Sequence, residues 1–238
     1  ELAEREDVEA VIGGLYSSNA EIMAPIFAKK EKTFFTLATT GELVRAYSDG
    51  SLWAMTETDI TQCEVLLSKV AYYDAESVAL LANGEDAYGK TFIDWFAFQA
   101  KELGLEVKGT FTYTSSTLAK RSQEAAASGA DYVLCIPSEI EDIRPMLEGF
   151  NQHALQCGNA PRTLFSDTAY GSDVIGKTGD ACEGLEGVTF GADPESGFDV
   201  SYEVYFNEAP TLAEAQVWQK PKCMMLPCCW DMPSGINI

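Results

Sequence analysis

Short apolar runs that alternate with helical stretches constrain the fold of this chain more than any other feature. From residue 59 onward, four apolar runs predict strands: 78–81, 106–113, 131–136 and 163–165. The stretches between them have helical periodicity, and two of these stretches stop at Gly104 and Gly129, as helices commonly do. This alternation predicts a parallel sheet with helices on both of its faces.

The first sixty residues show a shorter version of the same pattern. Residues 8–13, 33–38 and 52–55 are predicted strands, and residues 20–30 are a predicted helix capped by Ser17, Ser18 and Asn19. Each predicted strand is followed by glycine, serine or threonine residues. In open α/β sheets, small ligands bind at the carboxyl ends of the strands, so these residues are candidate ligand contacts.

The pattern predicts two doubly wound α/β lobes, with the chain crossing between them near Thr58 and Val188. Residues 1–58 would form the first part of lobe one and residues 59–188 would form lobe two. Residues 184–191 are predicted to be a strand that returns toward lobe one, followed by a helix over 198–207. Residues 189–238 would then return to lobe one, which would stay incomplete.

The loop GEDAYGKT, residues 84–91, matches the phosphate-loop pattern G-x-x-x-x-G-K-[ST] and allows two interpretations. In a nucleotide-binding enzyme its backbone N–H groups and Lys90 would face a polyphosphate. Glu85 and Asp86 oppose that role because they would place negative charge beside the phosphates. In addition, the apolar run 132–136 ends in Pro137 and Ser138, without the aspartate that holds magnesium in such enzymes. The favoured interpretation is a loop in which Tyr88 is functional and Gly89 opens a helix.

Composition limits the partners of the chain. The formal net charge of -21 argues against nucleic acid and against an anionic lipid surface. No stretch approaches the roughly 20 continuous apolar residues that a membrane span requires. The seven cysteines form no C-x-x-C pair, and His153 is the single histidine, so no metal or other cofactor is expected.

Seven segments together carry a resemblance to a known family: VEAVIGGLYSS, TFFTLATTGEL, TETDITQ, ANGEDAYGKTF, GADYVLCIPSE, TLFSDTAYG and GLEGVTFGA. In their order and spacing they resemble the type I periplasmic binding protein superfamily, and most closely its leucine/isoleucine/valine-binding group. The resemblance implies a non-enzymatic receptor whose two lobes close on a hinge around a ligand in the cleft between them. It also implies that about fifty residues of lobe one precede Glu1.

Carried over by position, the resemblance implies a set of ligand contacts in each lobe. In lobe one, Ser17 and Ser18 would meet the ligand carboxylate at a helix N-terminus, and Ala38, Thr39 and Thr40 would supply backbone and hydroxyl contacts. In lobe two, Tyr88 would supply an aromatic contact, and Asp167 or Thr168 would face the ligand ammonium. Such donors and acceptors suit a zwitterion. Pro137 and Ser138 stand where the family has a further aromatic contact, which leaves the ligand side chain open.

The implied function is capture of a small amino acid or similar zwitterion for the membrane permease of an ABC transporter. The protein would be periplasmic or a cell-surface lipoprotein. Two alternatives stay open at this point: a ligand-sensing module of the same fold in a signalling protein, and the phosphate-loop enzyme described above. Ser17 and Ser18 could instead only cap their helix, and Tyr88 could only pack against Phe92.

The tail from about Trp218 departs from the family pattern. It packs Pro221, Pro227 and Pro233 with three cysteines into a short span, which excludes a helix there. One permitted codon choice for residues 222–231, read in a shifted frame, spells Tyr-Asp-Ala-Ala-Leu-Leu-Leu-Gly, which is family-like sequence. The tail is therefore expected to result from a reading-frame change, which would leave lobe one truncated at both ends and Trp230 without a function.

Overall fold

The computed structural model describes residues 1–38, 40–47, 49–159, 161–191, 198–207 and 222–226. The chain divides into two compact units, one of Glu1–Thr61 with Phe190–Met224 and the other of Gln62–Thr189 with Met225–Ile238. Compactness does not reveal where a hinge bends, so the lobe boundaries given above stay a prediction.

The first unit contains a three-stranded parallel sheet in the order β1-β2-β3. Its strands and helices, in chain order, are β1 (Ala10–Gly13), α1 (Ser17–Ala28), β2 (Thr33–Thr36), α2 (Gly41–Ala46) and β3 (Leu52–Ala54), after a short 3-10 helix at Leu2–Glu4. In register, Val11, Phe34 and Leu52 form a buried row across the sheet. They belong to one apolar cluster with Ala20, Ala24 and Phe27 of α1.

Helix α1 begins earlier than the sequence suggested. Its N-cap is Tyr16, whose side chain makes no capping hydrogen bond, and Ser17 is already the first helical residue. The prediction that Ser17, Ser18 and Asn19 cap the helix is therefore wrong. The apolar periodicity used for that prediction starts only at Ala20, because the serines in the first turn carry no apolar signal.

The second unit contains most of a six-stranded sheet in the order β5-β4-β6-β7-β8-β9. Its elements are α3 (Asp59–Tyr72), β4 (Ser77–Asn83), α4 (Ala87–Glu102), β5 (Glu106–Tyr113), α5 (Leu118–Ala126), β6 (Tyr132–Ile136), α6 (Ile140–Cys157), β7 (Arg162–Phe165), α7 (Ser172–Thr178) and β8 (Gly187–Gly191). Single 3-10 turns lie at Asp167–Ala169 and Gly179–Cys182. The pairs β4–β5, β4–β6, β6–β7 and β7–β8 are all parallel.

Strand β4 lies at the centre of this unit and is buried over nearly its whole length. Ala79 and Leu81 belong to an apolar cluster that also holds Ala125 of α5 and Ile143 of α6. Because strand side chains alternate between faces, Val78 and Leu80 point to the other face, where they are fully buried. Both faces of the sheet are therefore covered, as a parallel sheet requires.

After β8 the chain forms α8 (Phe198–Phe206), and β9 (Lys222–Leu226) lies next to β8 in the larger sheet. Strand β8 pairs with β7, so the predicted strand at 184–191 starts in the second sheet. Residues 218–221 and 227–238, which hold most of the tail, lie outside the described residues. The reading-frame change therefore stays a prediction.

Candidate functional site

Three side chains meet at the carboxyl end of the second sheet. Tyr88 lies in the first turn of α4, directly after β4, and Asp167 follows β7. The Tyr88 hydroxyl donates to Asp167 Oδ1 at 2.6 Å, although the two residues are 79 positions apart. The Tyr88 hydroxyl oxygen is also 2.9 Å from Oε1 of Gln62, in the first turn of α3. Carboxyl ends of parallel strands share one sheet edge, which explains why these distant residues meet.

The Asp167 carboxylate is held mostly by neutral groups. The pKa of its carboxyl is raised, because burial among protein atoms raises it more than the Tyr88 hydroxyl, the nearby Gln62 amide and the Thr168 backbone lower it. Within the described part of the chain, no lysine or arginine forms an ion pair with Asp167. A carboxylate in this setting favours a cationic group that a ligand can bring.

The Tyr88 ring has a structural role as well. It packs edge-on against Phe92 one turn later in α4, with ring centroids 5.1 Å apart. This contact fixes the ring while the hydroxyl reaches Asp167. The two sequence interpretations of Tyr88, packing and function, are therefore compatible.

The N-terminus of α4 shows why the phosphate-loop pattern does not form a phosphate site. Helix α4 begins at Ala87, and its N-cap is Asp86, whose Oδ1 accepts from the Gly89 N–H at 2.6 Å. The other oxygen of Asp86 accepts from the Ser138 hydroxyl. Lys90 Nζ donates to the Glu85 carbonyl at 3.0 Å instead of facing a ligand. The backbone donor that a phosphate would use is thus occupied by a carboxylate.

Gly89 is needed for packing and does not open the helix. The helix is already under way at Ala87, so that part of the sequence interpretation is wrong. A Cβ at Gly89 would lie 2.1 Å from the Asn83 carbonyl oxygen, at the end of β4. Only glycine allows the first turn of α4 to approach β4 this closely.

In the first unit, Ser17 and Ser18 occupy the first turn of α1. The first N–H groups of a helix have no acceptor within the helix, and the Tyr16 side chain does not cap them. Ser17 is buried and Ser18 is exposed. The backbone of this turn therefore offers donors of the kind that bind a carboxylate.

The other predicted contacts of the first unit are partly engaged within the protein. The Ala38 N–H donates to the Gly14 carbonyl at 3.1 Å and to the Thr36 hydroxyl at 3.0 Å, so this N–H is engaged within the protein. The buried Thr40 hydroxyl lies 3.5 Å from Asp59 Oδ2, a long contact. Thr39 lies outside the described residues.

Gln62 is the member of this site that the sequence interpretation missed. It was part of the TETDITQ segment, but no role was assigned to it. Its position was the available signal: the amide lies on the same helix face as Cys63, Leu66 and Leu67, all of which are buried. A buried amide on an apolar face requires polar partners.

The described residues hold no candidate for two other kinds of feature, a metal centre and a membrane-spanning helix. They contain no group of three or more histidine, cysteine or acidic side chains placed to hold a metal ion. None of the described helices is long and apolar enough to cross a membrane.

Comparison with known proteins decides the family. The sequence profile described as periplasmic binding protein matches residues 1–219, which is nearly the whole chain. The chain belongs to the periplasmic binding protein family. Periplasmic binding proteins are non-enzymatic binding receptors, which agrees with the capped N-terminus of α4. No curated protein sequence matches the chain.

Solved structures of periplasmic binding proteins share the fold at low sequence identity. A solute-binding protein of an R. palustris ABC transporter, in complex with 4-hydroxybenzoate, has a TM-score of 0.73 and 14% identity, over 92% of this chain and 61% of its own. The leucine-binding protein LivK of Thermotoga maritima has a TM-score of 0.70 and 22% identity, over 90% of this chain and 61% of its own. The branched-chain amino acid binding protein LivJ of Streptococcus pneumoniae, in complex with isoleucine, has a TM-score of 0.66 and 18% identity, over 91% of this chain and 62% of its own. The chain thus spans about three fifths of the length of these relatives.

Proposed function

We propose that this periplasmic binding protein is an extracytoplasmic solute receptor that captures a small amino acid or similar zwitterion for the permease of an ABC transporter. The observation that carries the proposal is the Asp167 carboxylate, which is oriented by the Tyr88 hydroxyl and forms no ion pair with a described side chain. A ligand ammonium would supply the missing positive charge at short range. The Tyr88 ring would cover the apolar part of the ligand next to it.

The first unit supplies groups that suit the other end of a zwitterion. The turn of Ser17 and Ser18 offers N–H and hydroxyl donors to a carboxylate, and Thr39 and Thr40 add hydroxyl groups. The Ala38 carbonyl is an acceptor, so it would suit an ammonium better than a carboxylate. In the second unit, Thr168 would act through its backbone N–H on Asp167. These roles are part of the proposal.

The relatives with bound ligands suggest two ligand classes, amino acids and aromatic acids. The Asp167 carboxylate, which forms no ion pair with a described side chain, distinguishes between these two ligand classes. It would attract the ammonium of an amino acid, whereas an aromatic acid without an amine would leave this partly buried charge uncompensated. The geometry around Asp167 therefore supports an amino acid.

The proposal can be tested by thermal unfolding with matched pairs of ligands. Leucine and 4-methylpentanoate share a carbon skeleton and differ by the amine, as do isoleucine and 3-methylpentanoate; glycine, alanine, serine and 4-hydroxybenzoate complete the panel. Ligand at 100 times its dissociation constant adds about 2.7 kcal/mol, or roughly 5–11 °C for a protein of this size. We expect a shift with at least one amino acid and none with its amine-free partner.

Variants then locate the site. Asp167→Asn keeps the shape of the side chain but removes its charge, so it should abolish most of the shift. Asp173→Asn changes an exposed aspartate nearby in the sequence and should leave the shift intact. The proposal fails if no amino acid stabilises the protein, or if the amine-free acids stabilise it equally. A shift that survives Asp167→Asn would remove Asp167 from the site.

A further inference from the structure

The amide of Gln62 is a buried polar group next to the candidate site, and no role has been assigned to it above. Its side chain is 1% exposed, and it sits beside the Tyr88 hydroxyl and the Asp167 carboxylate. The phenol oxygen of Tyr88 is 2.6 Å from Asp167 Oδ1 and 2.9 Å from Gln62 Oε1. A phenol has one proton, so it cannot donate fully to both acceptors. The amide and the carboxylate therefore share one donor.

The amide nitrogen of Gln62, Nε2, also lies near the Asp167 carboxylate. Gln62 Nε2 is buried and has no acceptor in hydrogen-bond geometry within the described residues. It nevertheless lies close enough to Asp167 to lower the pKa of that carboxyl. An N–H bond from the amide to the carboxylate would satisfy this donor. A buried amide N–H2 without a partner costs free energy, which favours that arrangement when the site is occupied.

We propose that Gln62 is a positioning residue, whose amide holds the Tyr88 hydroxyl and the Asp167 carboxylate in the arrangement that binds ligand. The proposal rests on the proposed function above, in which Asp167 meets the ligand ammonium. The amide oxygen limits where the Tyr88 proton can point, and the amide N–H2 donates to Asp167. Gln62 itself need not touch the ligand.

Glutamine suits this position because it is neutral and offers both a donor and an acceptor. A glutamate would place a second carboxylate beside Asp167, and two carboxylates in one site oppose each other's ionisation. A leucine would fill similar space without any donor. Gln62 is also the first residue of the second unit, in the helix that carries the chain over from the first. Its buried face fixes the amide next to Asp167.

The pH dependence follows from the groups that face Asp167. They are the Tyr88 hydroxyl from α4, the Gln62 amide from α3, and the backbone N–H groups of Thr168 and of Asp167 itself. None of these groups is a charged side chain. Asp167 must be ionised to hold an ammonium, so a change that raises its pKa moves the loss of binding on acidification to higher pH.

The first experiment needs no ligand. The carboxyl pKa of Asp167 is followed by carbon NMR during a pH titration of the whole chain, in the parent and in three variants. We expect a higher pKa in Gln62→Leu and a still higher one in the near-isosteric Gln62→Glu. The control is Gln99→Leu, which removes another buried glutamine, from α4, and should leave the pKa unchanged. An unchanged pKa in both Gln62 variants overturns the proposal.

The second experiment measures binding of whichever amino acid stabilises the parent protein, as a function of pH. Gln62→Leu should weaken binding about tenfold or more at neutral pH, as expected for loss of a hydrogen bond to a charged group, and should shift its acid-side midpoint upward. Gln99→Leu should change neither quantity. If the parent binds and the Gln62 variants match it in affinity and midpoint, Gln62 has no positioning role. If the parent binds no ligand, the proposed function fails, and the titration alone decides whether Gln62 acts on Asp167.

Discussion

Replacing Gly89 with alanine tests the packing that places Tyr88. Intrinsic helix propensity predicts a gain from this change, because alanine is better than glycine in a helix by about 1 kcal/mol. The structure predicts the opposite sign. The new Cβ would lie 2.1 Å from the Asn83 carbonyl oxygen and 2.9 Å from two further backbone atoms of Asn83.

The magnitude follows from that distance. Non-bonded heavy atoms pack best at about 3.5 Å, so the first turn of α4 must move away from β4 by roughly 1 Å or more. Forcing extra atoms into a packed interior costs about 1–3 kcal/mol, and a backbone carbonyl cannot rotate out of the way as a side chain can. A cost at the upper end, reduced by the helix gain, leaves a net loss of about 2 kcal/mol. The movement would also pull the Tyr88 hydroxyl away from Asp167.

Urea unfolding followed by circular dichroism measures this loss as a change in midpoint at constant m. Since proteins of more than one domain need not unfold in a single step, hydrogen exchange of peptides from α4 and β4 should also be measured, and it should report the same loss locally. The matched control is Gly176→Ala in α7, where nothing lies within 4 Å of the added Cβ. That variant should be as stable as the parent or more stable, by up to about 1 kcal/mol. A Gly89→Ala protein as stable as the parent would refute the argument.

Three further predictions address other parts of the structure. The protein should not bind ATP with magnesium in calorimetry, because Asp86 occupies the N-terminus of α4; micromolar binding that Lys90→Ala abolishes would contradict this. Asp131→Asn should destabilise the protein at pH 6, because the Ser77 hydroxyl lowers the pKa of the Asp131 carboxyl and so stabilises the folded state. That stabilisation is present above about pH 4 and is lost as pH falls through the pKa of the folded state. Urea midpoints of the variant should therefore differ from those of the parent more at pH 6 than at pH 3. Tyr113→Phe should lower the free energy of unfolding in urea by about 1–3 kcal/mol, because the Tyr113 hydroxyl bonds to the Ile136 carbonyl, the Ser138 N–H and Asp142. Tyr16→Phe, at an exposed position, is the control and should change this free energy little.

The strands of the second sheet could be predicted well because their signal is local. Strands β4 and β6 are continuous apolar runs, as expected for strands buried on both faces, and β5 was predicted with its observed bounds. Helix starts were predicted less well. The starts of α1 and α4 contain serine or glycine, which carry no apolar periodicity. Helix α1 therefore begins three residues before its predicted start, and α4 begins two residues before Gly89.

The phosphate-loop pattern shows where local sequence is ambiguous. Residues 84–91 satisfy the spacing of glycines, lysine and threonine, and only the acidic Glu85 and Asp86 argued against a nucleotide. The structure resolves the ambiguity because it shows where the Asp86 carboxylate goes, to the Gly89 N–H and the Ser138 hydroxyl. The second of these partners lies in the loop after β6, which the local pattern could not reveal.

The sequence by itself determined that the chain is an α/β protein and that Tyr88 and Asp167 stand at strand ends. It could do so because the apolar pattern of a strand and the turn that ends it both depend on residues close in sequence. Only the tertiary structure decided that these two side chains bond to each other and that Gln62 shares their proton. Both contacts depend on the order in which β4, β6 and β7 pair and on how α3 and α4 pack beside them. Hydrogen bonds act over a few ångströms, so residues 79 positions apart interact only once the whole sheet has assembled.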